Sequence, residues 1–152
     1  MNISIVLIEP DIPQNTGAIM RLCACLARPL HLIEPFGFIW DVQKLKRGGL
    51  DYLEQTILHR HLDYHHFLAT INPRRTILFT THAEKTIDDM IFDRDDFFLF
   101  GNESSGAPKT IHQLAHQRIR VPLSPKTRSL NLATTIGFAL GVAHQQFLSR
   151  SS

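Results

Sequence analysis

Ile3-Ser4-Ile5-Val6-Leu7-Ile8-Glu9-Pro10-Asp11-Ile12-Pro13-Gln14-Asn15-Thr16-Gly17 sets the pattern for the rest of the chain. Residues 3–8 are mostly apolar and rich in β-branched side chains, which reads as a buried strand. Glu9-Pro10 ends it, because proline cannot continue a central strand. The loop Asp11-Ile12-Pro13-Gln14 leads to Asn15 and Thr16, either of which can cap a helix. That helix carries Ile19, Met20, Leu22, Cys23 and Leu26, and Pro29 terminates it.

The unit then repeats with variations. Residues 30–33 read as a second buried strand, again closed by a Glu-Pro pair, Glu34-Pro35. Phe36-Gly37-Phe38 is a loop, 41–47 a short basic helix, and Gly48-Gly49 a stop signal. Strand-like residues 56–58 precede a helix predicted over 61–71, closed by Asn72-Pro73. Residues 76–80 and 97–100 are further buried strands, 108–116 a helix, 119–121 a last short strand and 129–148 the longest helix. Short apolar strands alternating with helices predict an α/β fold on a mainly parallel sheet flanked by helices. Ligands of such sheets bind in loops at the carboxyl ends of strands. No repeat, low-complexity tract or linker interrupts residues 1–152, so a single domain without an extension domain is expected.

Bulk properties agree. A chain of 152 residues with 43% hydrophobic and 20% charged residues suits one folded core. The net charge is only +2, although eleven of the sixteen basic residues are Arg, whose planar fork suits phosphate. Cys23 and Cys25 lie two apart on a predicted helix and point in different directions, so they are expected to be buried, unpaired thiols of a reducing compartment. No basic region precedes the first apolar run, and no run reaches the roughly 18 residues that span a bilayer. A cytoplasmic protein without membrane contact is expected.

Three strand-exit loops concentrate polar and glycine residues. In the first, Asn15-Thr16-Gly17, Gly17 shares a helix face with Arg21, which can look back toward the loop; a capped helix with a surface arginine is the plainer account. In the second, Phe100-Gly101-Asn102-Glu103-Ser104-Ser105-Gly106, two glycines flank a carboxylate and allow close backbone approach to a ligand. Here the plainer account is a turn in which Glu103 caps the next helix or pairs with an arginine. The third, Val121-Pro122-Leu123-Ser124-Pro125-Lys126-Thr127-Arg128-Ser129-Leu130-Asn131-Leu132-Ala133, is stiffened by two prolines, and Ser129 or Asn131 can cap the helix that follows. A stiff loop with small polar groups at a helix start suits the wall of a pocket.

Taken together, these blocks resemble the knotted methyltransferases of the SPOUT superfamily. The matching stretches are Glu9-Pro10 through Arg21, Ile33-Glu34-Pro35 through Trp40-Asp41, Gly49-Leu50-Asp51-Tyr52, Phe100 through Gly106, and Arg128 through Leu132. Within the superfamily the chain is most similar to the short enzymes that methylate the ribose 2′-hydroxyl of the tRNA wobble nucleotide, C or a modified U at position 34. The resemblance implies a C-terminal trefoil knot, a rare exception to unknotted topology. It implies S-adenosyl-L-methionine as methyl donor, no metal, tRNA as partner and a homodimer. By position, Phe79, Gly101, Val121, Ser129, Leu130 and Asn131 are expected to hold the cofactor. Arg21 is expected at the reacting hydroxyl, with Asn15, Glu103 and Asn131 positioning it and the substrate. Two departures stand out: Ser104-Ser105 where relatives often carry a basic residue after the glutamate, and Ala133 where they usually have serine. Residue spacing alone also offers a dimer contact, since Ala133, Gly137 and Gly141 recur every four residues along one helix, although the same stripe can pack within the subunit.

Other readings remain open on sequence alone. The reaction can fall at another tRNA or rRNA position. His59, His61, Asp63, His65 and His66 form a histidine-rich cluster, and His61 with His65 has the helical spacing of a metal-ligand pair. A solvated helix start is the simpler account of it. A nucleotide-binding enzyme is a further alternative, but neither G-x-G-x-x-G nor G-x-x-x-x-G-K-[ST] is present. A non-enzymatic RNA-binding module is the last, and intact Arg21 and Asn131 speak against it. Lys44, Lys46, Arg47, Arg74 and Arg75 are the basic residues available for RNA, and ordinary solvated charge explains them equally well.

Overall fold

Six parallel strands form one sheet in the order β3-β2-β1-β5-β4-β6 in the computed structural model, which describes residues 2–47 and 50–151. They are β1 (Ser4–Ile8), β2 (Leu30–Ile33), β3 (Leu58–His61), β4 (Thr76–Phe79), β5 (Phe97–Phe100) and β6 (Gln117–Ile119). Every pairing is parallel, so the expected "mainly parallel" sheet is wholly so. Strands β1, β2 and β4 are buried at every position. Their mostly apolar runs, interrupted only by Ser4, His31 and Thr76, follow from helices covering both faces.

On one face, Ile5, Leu7 and Phe98 pack with Ile19, Met20 and Cys23 of α1 (Pro13–Cys25) and with Ile136, Leu140 and Ala143 of α5 (Leu132–Ser151). On the other, Val6, Ile8, Leu78 and Leu99 meet Tyr64 and Phe67 of α3 (Tyr64–Ile71) and Ile111 of α4 (Lys109–Leu114). The remaining helix, α2 (Val42–Arg47), is started by Asp41, whose Oδ1 accepts from the Gln43 amide at 2.9 Å. A 3₁₀ turn, Leu50–Gln55, packs on α1, where the Thr56 hydroxyl donates to the Met20 carbonyl at 3.3 Å. The Gly48-Gly49 stop lies outside the described residues.

Several expected details are corrected. Helix α1 begins at Pro13 after Ile12, which makes no side-chain cap, so neither Asn15 nor Thr16 is its cap. Proline at the first helical position needs no N–H partner and presets φ. This frees the Asn15 side chain for another task. The third strand is 58–61 rather than 56–58; it lies at the sheet edge, where His59 and Arg60 are both exposed and tolerated. Helix α3 starts at Tyr64 rather than 61, because the Asp63 carboxylate accepts from the His66 amide at 2.7 Å. The last strand lies two residues earlier than expected, and α5 starts at Leu132 rather than 129. Both cysteines are free, but only Cys23 is buried and Cys25 is exposed. Among the described residues no helix is long and apolar enough to cross a membrane.

Candidate active site

Strand order determines where a ligand can sit. From β1 the chain runs outward through β2 to β3, then crosses to the other half of the sheet, where β5 pairs with β1. Loops leaving β1 and β5 therefore diverge, opening a crevice at the carboxyl ends of the strands. A cavity of about 940 Å³ lies there, walled by the exits of β1, β4, β5 and β6.

Eight of the nine expected site residues line it: Asn15 from α1, Phe79 from β4, Gly101 and Glu103 after β5, and Val121, Ser129, Leu130 and Asn131 after β6. Phe79 is 8% exposed and stacks on Phe100, ring centroids 4.7 Å apart. The loop after β5 closes on itself: the Gly106 amide donates to the Asn102 carbonyl at 3.0 Å, and the Ser105 amide to Asn102 Oδ1 at 2.7 Å. A methyl group on Gly101 would meet the backbone of Ala107 and sit 2.8 Å from the Gly106 Cα, and Gly106 itself has φ +72. Both glycines are thus required by the loop's own closure. Asn131 caps α5, its Oδ1 accepting from the Thr134 amide at 3.3 Å, while its Nδ2 donates to Asn15 Oδ1 at 2.9 Å. Ser129 makes no cap.

Among the described residues Glu103 neither caps α4 nor pairs with an arginine. Its Oε2 accepts from the Asp11 amide at 3.1 Å, and its own amide donates to Asp11 Oδ1 at 3.2 Å. Oε1 is buried without a hydrogen-bond partner. Burial, and after it the Asp11 side chain, push the Glu103 carboxyl above the usual carboxylate range. The bond with Glu103 holds Asp11 below it. As pH falls, Glu103 therefore takes up a proton before Asp11 does. Ser104 and Ser105 also line the cavity, and its basic members are His82, Lys109 and His112. Burial, then His82, lowers the His112 pKa.

Arg21 stands apart. It projects from the exposed side of α1 with its guanidinium 5.3 Å from the centre of the Tyr52 ring and is not among the cavity-lining residues. The spacing rule put it on the Gly17 face, but Gly17 is buried and the long side chain extends outward to the aromatic ring. Ala133 is partly buried and packs against the core. A methyl group on Gly137 would lie 3.9 Å from Leu22 of α1, whereas one on Gly141 would meet open space, so the small-residue stripe packs internally over part of its length.

Sequence reasoning missed Asp11, His82, Lys109, His112 and Thr135. Asp11 alone carried a signal, as a carboxylate between two prolines in the first strand-exit loop. The histidine cluster is also resolved differently. His61 lies on β3, not on a helix with His65, and its ring is 2.9 Å from that of His31. His31 stacks on His59 at 4.7 Å. Among the described residues no group of three His, Cys, Asp or Glu side chains is arranged to hold a metal ion.

The sequence model of the SpoU rRNA Methylase family matches residues 2–141. The chain belongs to this family. Among SpoU methylases, a curated tRNA (cytidine(34)-2'-O)-methyltransferase of Escherichia coli (strain K12) is 42% identical over 146 residues, covering 95% of this chain and 93% of that protein. A solved structure reported as giving insight into the 2-OH methylation of C/U34 on tRNA superposes with a TM-score of 0.89 at 37% identity, over 97% of both chains. The SpoU methyltransferase AviRb from Streptomyces viridochromogenes, solved in complex with the cofactor AdoMet, shares the fold at a TM-score of 0.86 and 20% identity, over 97% of this chain and 58% of that one.

Proposed function

We propose that the chain transfers a methyl group from S-adenosyl-L-methionine to the ribose 2′-hydroxyl of the wobble nucleotide of tRNA, C or a modified U at position 34. The observation that carries this is the near-complete match, in sequence and fold, to proteins of that named activity. The cavity fits the donor on its own terms. Its size is that of a small-molecule site, its apolar floor is Phe79 and Phe100, and a buried Glu103 oxygen in its wall awaits a partner. Phe79, Gly101, Val121, Ser129, Leu130 and Asn131 would hold it.

S-adenosylmethionine, when bound, supplies an electrophilic sulfonium methyl and a neutral thioether leaving group. The protein's work is alignment and management of the hydroxyl proton. The new bond joins the 2′-oxygen to the methyl carbon as the carbon–sulfur bond breaks, and the hydroxyl proton leaves to water or a phosphate oxygen. Arginine, with a pKa above about 12, is a poor base, so Arg21 serves by stabilising the developing alkoxide. To do so its side chain leaves Tyr52 when RNA arrives. Asn15, Glu103 and Asn131 keep the loops around the reacting groups in register.

The working unit in this reading is a homodimer of one catalytic domain, with the C-terminal trefoil of the family, in a reducing, cytoplasmic setting. The exposed side of α5 supports the dimer, with Phe138 47% and Leu148 52% exposed beside the open Gly141. Methyl-acceptor assays on tRNA from cells lacking the protein, with nucleotide mapping, test the whole reading. A product methylated on ribose 34 is expected; methylation elsewhere, or none, overturns it.

A further inference from the structure

Asp11 belongs to none of the roles assigned so far, yet it touches three strand-exit loops. Its backbone and side chain both bind Glu103, in reciprocal amide-to-carboxylate bonds of 3.1 and 3.2 Å across 92 residues of sequence. From the opposite side, Gly37 of the loop after β2 donates its amide to the Pro10 carbonyl at 3.0 Å. A methyl group on Gly37 would fall onto the Asp11 Cβ and lie 2.9 Å from its Cα. The same exit segment continues into α1, where Asn15 accepts from Asn131 at 2.9 Å.

We propose that Asp11 is the positioning residue of the methyl-transfer site, clamping Glu103 to the β1 exit loop, whose continuation into α1 carries Asn15 and so sets Asn131 in the cavity wall. The inference rests on the cavity being that site. Each link is short, and three of the four exit loops that wall the cavity are joined by it. Asp11 itself does not line the cavity. It acts on substrate only through Glu103 and Asn15.

The test compares wild type, Asp11→Ala, Asp11→Asn and Gly37→Ala by methyl-transfer kinetics, by calorimetry with S-adenosylmethionine, and by carbon NMR titration of the Glu103 carboxyl in the unliganded protein. Asp11→Ala should lower kcat by up to ~100-fold, as expected for misplaced groups, with KM for tRNA near the wild-type value. Asp11→Asn keeps an acceptor for the Glu103 amide and should recover most of kcat. It removes the neighbouring negative charge, however, so the Glu103 titration moves to lower pH. The other ionisable groups lining the cavity, His82, Lys109 and His112, are untouched by the change. Gly37→Ala pushes Asp11 aside with both carboxyls intact and should lower kcat in the same way, a check available even where Asp11→Ala does not fold. Unchanged kcat in Asp11→Ala or Gly37→Ala, or an unmoved Glu103 titration in Asp11→Asn, overturns the inference. Failure of wild type to methylate tRNA overturns the function instead, and the NMR titration and cofactor calorimetry still decide the role of Asp11.

Discussion

Asn131 performs two separable tasks, and two substitutions pull them apart. Its Oδ1 caps α5 through the Thr134 amide, and its Nδ2 ties the loop after β6 to Asn15. Asn131→Ala removes both. Losing an N-cap costs about 1 kcal/mol, and losing an exposed side-chain hydrogen bond costs roughly 0.5–1.5 kcal/mol. A total of about 2 kcal/mol lowers the Tm of a domain this size by roughly 4–8 °C. Asn131→Ser keeps a capping oxygen but is too short to reach Asn15. Its Tm should fall by only about half as much, while S-adenosylmethionine affinity falls as far as in the alanine variant. Thermal melts and calorimetry on the two proteins read these effects, and the double variant with Asn15→Ala should show no further loss of affinity, because the tie is already cut. Should Asn131→Ser bind the cofactor as wild type does, the Asn15 tie does not shape the cavity and the reasoning fails.

Arg21→Ala should abolish methyl transfer while S-adenosylmethionine binding, measured by calorimetry, survives; near-normal transfer would remove Arg21 from the reaction. Gly101→Ala places a methyl group against the backbone at Gly106 and Ala107 and should eliminate cofactor binding, with the loss of fold tracked by circular dichroism. His31 is 3% exposed, and burial together with His59 and His61 pushes its pKa down to about 3. A folded-state pKa below the unfolded value gives stability that is complete above about pH 6.5 and declines as pH falls toward 3, by roughly 2 kcal/mol at pH 5. Urea denaturation at pH 7 and pH 5 should show this decline, and His31→Gln should flatten it.

Much of the sheet was legible because buried parallel strands are short apolar runs with abrupt ends, as at residues 30–33 and 97–100, both found with the expected bounds. Edges were harder. Leu58–His61 carries two histidines and an arginine, and only its place at the sheet margin makes it a strand. Helix starts were misread where two signals competed: Pro13 outranked Asn15 and Thr16, and Asp63 displaced a start at 61. Cavity residues on glycine-rich or proline-stiffened loops were readable one loop at a time. His112 was not, and Asp11, outside the cavity wall, showed only as a carboxylate between two prolines, since their meaning comes from partners about 30 and 92 positions away along the chain.

The hydrogen bond between Asn15 and Asn131 joins positions 116 residues apart. Closing so long a segment costs about 4 kcal/mol of chain entropy before any contact repays it. A chain emerging from the ribosome completes β1 and α1 first, but it has no cavity until the loop after β6 and the first turn of α5 have been made. Unfinished chains therefore cannot hold a small ligand in this crevice. Conversely, a ligand bound there favours the closed chain over every open one, so its occupancy becomes a readout of whether synthesis and folding have reached the C-terminal helix.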